Sequence, residues 1–257
     1  MNPPSAAAPI VLVGSRFDSF IAAGLGVSAA DFAEAVGHGG YDGLAEPVPV
    51  HLGQGLDEAA VAGAGEAVER RGLGDRLLLD PRDLPTPIEA RAVHKQDARN
   101  VLLADFEYCG PDAFEASLRL HNDNELVQDH QSSPHLQGMV LVEAARQMFL
   151  AACELEYLRP WPDRKFSFLL TRIDTRFDRP VFPLPLRMRL TAHRAETHDV
   201  NRMRFHVETR FVQCGCEAAR SEVAAAVRPL GPTRRVELRH AETAIAALEK
   251  ARPLAGW

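Results

Sequence analysis

The chain falls into two parts that differ in the spacing of their apolar positions. In the first part, short apolar runs alternate with helix-period stretches. Ile10-Val11-Leu12-Val13 reads as a buried strand. Residues 28–36 read as a helix with Ser28 as its cap and Asp31 as the acidic member of a capping box. Val48-Pro49-Val50-His51-Leu52 reads as a second strand, placed at a sheet edge because proline cannot donate to a ladder. Residues 57–71 form a helix with arginines in its last turn and Gly72 as its stop. Arg76 to Asp80 reads as a third strand, and the proline-rich stretch 81–87 as a linker. The order β-α-β-α-β predicts a small parallel α/β unit over residues 1–90.

The second part reads differently. Residues 101–108 and 114–121 alternate as antiparallel strands around a Cys109-Gly110-Pro111-Asp112 turn. A loop over 122–137 leads into residues 138–157, apolar almost all round and therefore a buried helix. Strands follow at 166–177, 185–194, 202–213 and 217–227, with Gly215 in the last hairpin, and a terminal helix at 241–251. Two strands, a buried helix and four strands predict an antiparallel sheet wrapped around one helix, over residues 91–230, with 231–257 as a helical tail. The whole is α+β.

Only Glu143, Arg146 and Gln147 interrupt the apolar helix, and their i, i+3, i+4 spacing puts them on one face. Burying a carboxylate, a guanidinium and an amide is costly unless they pair or perform chemistry. Just upstream lie His130 and His135, imidazoles suited to proton transfer near neutral pH. Gly138 opens the helix, where unpaired N–H groups and the helix dipole can stabilise developing negative charge. We take Glu143, His130 and Arg146 as catalytic candidates, and Gly138, Met139, Gln147 and His135 as substrate-binding candidates. An ion pair between Glu143 and Arg146, a surface histidine and a plain helix-entry glycine are the ordinary alternatives. His94 and Lys95, just before the first strand of this part, have a surface position as their default.

Composition narrows the function classes. The chain has 257 residues, 46% apolar and 25% charged, with net charge −6 and no basic run, which argues against a nucleic-acid partner. No apolar run reaches the ~18 residues of a membrane span, and the amino terminus lacks the pattern of a secretion signal. The four cysteines, Cys109, Cys153, Cys214 and Cys216, form no C-x-x-C pair and read as reduced thiols of a cytoplasmic protein. No metal or cofactor motif is present. Val13-Gly14-Ser15-Arg16 follows a strand and could hold an anion, but neither glycine-rich nucleotide signature occurs.

Gly138 followed five residues later by Glu143 resembles the β-hydroxyacyl-carrier-protein dehydratases of the hotdog fold. Three segments resemble a narrower family, the A-factor biosynthesis (AfsA-type) hotdog proteins: Val93-His94-Lys95, Asn100-Val101-Leu102-Leu103 and Glu143-Ala144-Ala145-Arg146-Gln147. The resemblance covers roughly residues 92–228. Where the family usually has His-Asp-Pro before the helix, this chain has His135-Leu136-Gln137-Gly138, and one hotdog copy is found where typical members have two. The resemblance implies an acyl-thioester enzyme that moves a β-ketoacyl group from an acyl-carrier-protein or CoA thioester to a small hydroxylated acceptor, in butyrolactone or butenolide biosynthesis. It also implies a homodimer. Dehydration of a β-hydroxyacyl thioester and non-catalytic acyl binding are the competing readings.

Overall fold

The computed structural model describes residues 8–128 and 133–250. The first unit holds β1 (Ile10–Val13), α1 (Asp18–Ala22), β2 (Val27–Ser28), α2 (Ala29–Gly37), β3 (Val48–Leu52), α3 (Glu58–Arg71) and β4 (Leu77–Leu78). Its sheet is parallel, in the order β2-β1-β3-β4. The caps follow the sequence. Ser28 Oγ accepts from Asp31 N–H at 3.0 Å, and Asp57 Oδ1 accepts from Ala60 N–H at 2.7 Å. Gly72 ends α3 in the left-handed region at φ 69°.

The structure corrects two expectations here. A short helix and strand, α1 and β2, precede α2, where the sequence pattern is too short to show either. And β3 is an inner strand, not an edge, lying between β1 and β4. Proline is tolerated there because the pairing with β1 starts at Val50, and the β4 side takes its hydrogen bond from Val48 N–H to Arg76 O. Pro49 sits where no donor is required.

The second unit holds β5 (Leu103–Gly110), β6 (Ala113–Leu118), the short α4 (Glu125–Gln128), α5 (Gly138–Ala152), β7 (Phe166–Phe177), β8 (Arg187–Glu196), β9 (Met203–Gln213) and β10 (Cys216–Pro229). Its six-stranded antiparallel sheet runs β5-β6-β8-β9-β10-β7 and curves around α5. Ten of the fifteen α5 residues are buried, as an all-round apolar helix requires. A π-turn, Cys153–Tyr157, ends the helix, and Tyr157 Oη donates to Asp112 Oδ1 at 2.7 Å, tying the helix end to the β5–β6 turn. The final helix, α6 (Leu230–Lys250), begins eleven residues earlier than its sequence pattern suggests and runs straight on from β10.

The outer edge of β5 is not open. The end of the expected linker and the residue after it pair along it, Pro87 bridging Ala104 and Ile88 N–H donating to Leu103 O at 3.1 Å. Among the described residues the opposite edge, β7, pairs with β10 alone.

Two cores form. One belongs to the first unit and packs Leu12, Phe32, Val36, Val50, Val61 and Val68. The other surrounds α5 and also takes in Phe17 and Phe20 of α1 and its approach, so it crosses the seam between the units. Gln54, only 4% exposed, pins that seam. Its Nε2 donates to Leu118 O and Leu184 O at 3.1 and 3.2 Å, and its Oε1 accepts from Leu120 N–H at 2.8 Å. The Gly14 loop, read as a candidate anion site, is spent on this docking. A Cβ on Gly14 would lie 2.4 Å from both Asn122 Oδ1 and Gly55 O, so its missing side chain serves close backbone approach.

Candidate functional site

The segments that carried the family resemblance meet in space. Gln147, with no exposed surface, sits at their centre. Its Oε1 accepts from Leu102 N–H at 2.8 Å, and its Nε2 donates to Asn100 O at 2.9 Å and to Glu143 Oε1 at 3.0 Å. The amide thereby satisfies two backbone groups of the segment that enters β5. Its hydrogen-bonding capacity is used inside the protein, so it acts on the site through Glu143.

Glu143 is saturated with donors. Arg146 grips it with two parallel bonds, Nε to Oε2 and Nη2 to Oε1, both at 2.7 Å. Lys95 Nζ lies 3.0 Å from Oε1. Burial pushes this carboxyl up, yet the bonds from Arg146, Gln147 and Lys95 outweigh burial and hold it at about 2. The same pairing raises the Arg146 guanidinium above its usual range. Glu143 is therefore ionised at any physiological pH. Lys95 and His94, given a surface position by default, are instead part of this flank. His94 takes a left-handed conformation at φ 55°, its Nε2 lies 2.7 Å from Glu154 Oε1, and its ring stands edge-on to Phe168. Their sequence signal was the motif alone, since neither lies on a periodic element.

Of the seven candidate residues, the six that are described divide between two flanks of α5. At 100° per residue, Met139, Val142, Glu143 and Arg146 share one flank, and Gly138 and Leu141 point elsewhere. On the first flank, Lys95, Asn124, Glu125, Met139, Val142 and Glu143 border a pocket of about 170 Å³. On the second, His135, Gly138, Leu141, Phe177, Arg179 and Val181 border one of about 360 Å³. Ser133 Oγ lies 2.8 Å from His135 Nδ1. His130 lies outside the described residues.

Gly138 lines the second pocket with the Phe177 ring packed against it. A Cβ there would lie 2.9 Å from Phe177 Cζ, so the ring at the end of β7 covers the helix entrance, although Phe177 itself is 50% exposed. Sequence reading missed Phe177, an ordinary strand residue by its spacing. Gln137 stands at the N-cap position and provides no side-chain cap. Among the described residues no His/Cys/Asp/Glu group has the arrangement of a metal site. No helix among them is long and apolar enough to cross a membrane.

A six-stranded antiparallel sheet around one buried helix defines a hotdog-fold protein. The model of the A-factor biosynthesis hotdog domain matches residues 79–229, more than half of the chain, and the protein belongs to that family. Solved structures share the fold at low identity. A candidate thioesterase from Shewanella oneidensis is 8% identical at TM-score 0.40, covering 55% of this chain and 87% of its own. A thioesterase from Haemophilus influenzae is 17% identical at TM-score 0.36, covering 50% and 80%. A mutant thioesterase from Pseudomonas aeruginosa is 15% identical at TM-score 0.37, covering 50% and 82%. No curated protein matches the chain significantly. The family and the fold together mark an acyl-thioester-processing hotdog protein.

Proposed function

We propose that the protein transfers a β-ketoacyl group from an acyl-carrier-protein or CoA thioester to the hydroxyl of a small acceptor, as the family resemblance implies. The observation that carries this reading over dehydration is the donor-saturated setting of Glu143, gripped by Arg146 through two bonds, held by Gln147 and approached by Lys95. Dehydration needs an acid that protonates the departing hydroxyl, and a carboxyl held at about 2 has no proton to give. Transfer needs an acceptor hydroxyl to be oriented: its oxygen bonds the thioester carbon, the C–S bond breaks, and the hydroxyl proton passes to the departing thiolate, so Glu143 need only hold the hydroxyl by a hydrogen bond. An anionic carboxylate beside a pocket of about 170 Å³ suits a small hydroxylated molecule. Lys95, in the same pocket, supplies a cation for an anionic group on that acceptor.

The thioester fits the other flank, where the larger pocket adjoins the amino end of α5. Because one chain presents its two pockets on different flanks, a reacting pair of substrates is brought together across two copies. The β7 edge, which ends at Phe177 beside the larger pocket, is the surface on which a second copy would add. A two-fold homodimer is therefore part of this proposal.

Incubation with a panel of carrier-protein and CoA thioesters, with and without glycerol-type and dihydroxyacetone-type acceptors, tests it by intact-mass analysis. Acyl loss that requires an acceptor supports transfer. Loss of water from a β-hydroxyacyl thioester would replace transfer by dehydration. Saturable binding without turnover of any thioester would make the protein an acyl-binding subunit. A mass of a single chain by light scattering at micromolar concentration would reject the shared site.

A further inference from the structure

The seam between the two units is tight at one end and hollow at the other. A Cβ on Gly53 would lie 2.3 Å from Pro183 O, and one on Gly55 would lie 2.8 Å from Gly14 Cα. Beside these contacts lies a cavity of about 280 Å³ walled by Leu52, Leu56, Leu84, Leu120, Leu186 and Val212. Asp83, Cys214 and Arg187 at its border are exposed, so the space opens to solvent and a solute can enter it. Its position also matters. It lies past the carboxyl end of β3, next to the point where the chain goes from β1 outward in opposite directions to β2 and β3. Open parallel sheets hold ligands at that end. Docking of the second unit fills the crevice at Gly14 and leaves this space beside it.

Two guanidiniums line the cavity. Arg187 pairs across the sheet with Ser117, and Arg119 lies two residues beyond Ser117, its side chain only 11% exposed. Arg119 Nη1 donates to Pro85 O at 2.6 Å and Nη2 to Glu58 Oε1 at 2.8 Å. Arg187 Nη1 donates to Ser117 Oγ at 3.1 Å and Nη2 to Glu115 Oε2 at 3.3 Å. A guanidinium has five N–H donors, so both retain donors beyond these bonds. Asp83 is the one carboxylate in the lining. Leucine walls with two cations match an anionic head on a short apolar tail.

We infer that this seam cavity binds a small monocarboxylate with a short hydrocarbon chain, its head on Arg187 and Arg119 and its tail among the leucines. The volume falls just below the ~300 Å³ lower end of ordinary ligand sites, so the ligand has roughly ten non-hydrogen atoms. The site is separate from the flanks of α5 and does not depend on which acyl chemistry occurs there. A ligand in it touches both units, so its binding strengthens their docking.

Octanoate is the probe, with 1-octanol as its neutral counterpart, read by calorimetry and by thermal melting of the full chain. Octanoate binds one per chain and raises the Tm, while octanol binds at least about tenfold more weakly. Arg187→Gln, at a half-exposed position, leaves the unliganded Tm nearly unchanged and weakens octanoate about tenfold, the loss of one charge-assisted contact. Val212→Phe fills the hollow and abolishes binding. Absence of saturable octanoate binding overturns the inference. So does equal binding of octanol, or octanoate affinity unchanged in Arg187→Gln whatever the fate of Val212→Phe.

Discussion

The two flanks of α5 solve opposite problems with neighbouring residues. On the Glu143 flank the polar groups of the helix are partnered: a carboxylate with two cations and an amide, and an amide with two backbone groups. On the Gly138 flank the helix entrance meets an aromatic ring and an apolar pocket, with His135 and Arg179 at its border. Saturation fixes charge and geometry, and it removes the freedom to exchange a proton. The less polar flank has more room. The difference teaches that a conspicuous carboxylate in a buried helix is not for that reason an acid. Its neighbours decide the charge state.

The comparison breaks most severely at Gln147. Gln147→Leu keeps the volume and strands Leu102 N–H, Asn100 O and one side of Glu143, which we expect to cost on the order of 3 kcal/mol, several unsatisfied groups partly offset by relaxation. Denaturant unfolding measures it, and a loss below about 1 kcal/mol would show that the amide is not the clamp described. Phe177→Ala should leave stability within about 1 kcal/mol, the ring being half exposed. If the larger pocket takes the thioester, the variant should change KM among acyl chain lengths more than it changes kcat. An unchanged chain-length profile would move the thioester elsewhere.

The charge state of Glu143 sharpens the comparison through pH. Its folded value, about 2, lies below the ordinary 4.5. A depressed carboxyl contributes stability that is complete above 4.5 and lost as pH falls from there towards 2. We expect a loss on the order of 2 kcal/mol across that window, measured by urea unfolding, and a flatter profile in Glu143→Gln. The same variant separates chemistry from structure. Turnover should fall roughly 10²-fold if the carboxylate orients the acceptor hydroxyl. Unchanged turnover with lowered stability would leave Glu143 as an ion-pair partner alone. The smallest effect belongs to Thr209, whose buried hydroxyl is the one such side-chain atom without a partner among the described residues. Thr209→Val should be neutral or stabilising by up to about 1 kcal/mol, which sets the unsatisfied hydroxyl beside the saturated carboxylate in the same core.

The sequence by itself determined the elements whose periodicity is long and whose caps are local. The buried helix from Gly138, the four strands after it, and the Ser28, Asp57 and Gly72 caps all follow from side chains within one turn or one strand. It also determined the family, because three separated motifs survive as linear strings. Tertiary structure alone decided what those motifs do. Lys95 and Glu143 are 48 residues apart, and their 3.0 Å contact exists only because the segment before β5 lies along α5. Pro49 reads as an edge residue until the neighbours of β3 are known, and Gly14 reads as a ligand loop until Asn122 and Gly55 arrive against it. Phe177 carries no sequence signal because its meaning lies in the glycine it covers. Propensity and patterning act over a few residues, whereas pKa, pocket shape and close backbone approach depend on whatever distant chain fills the adjoining space.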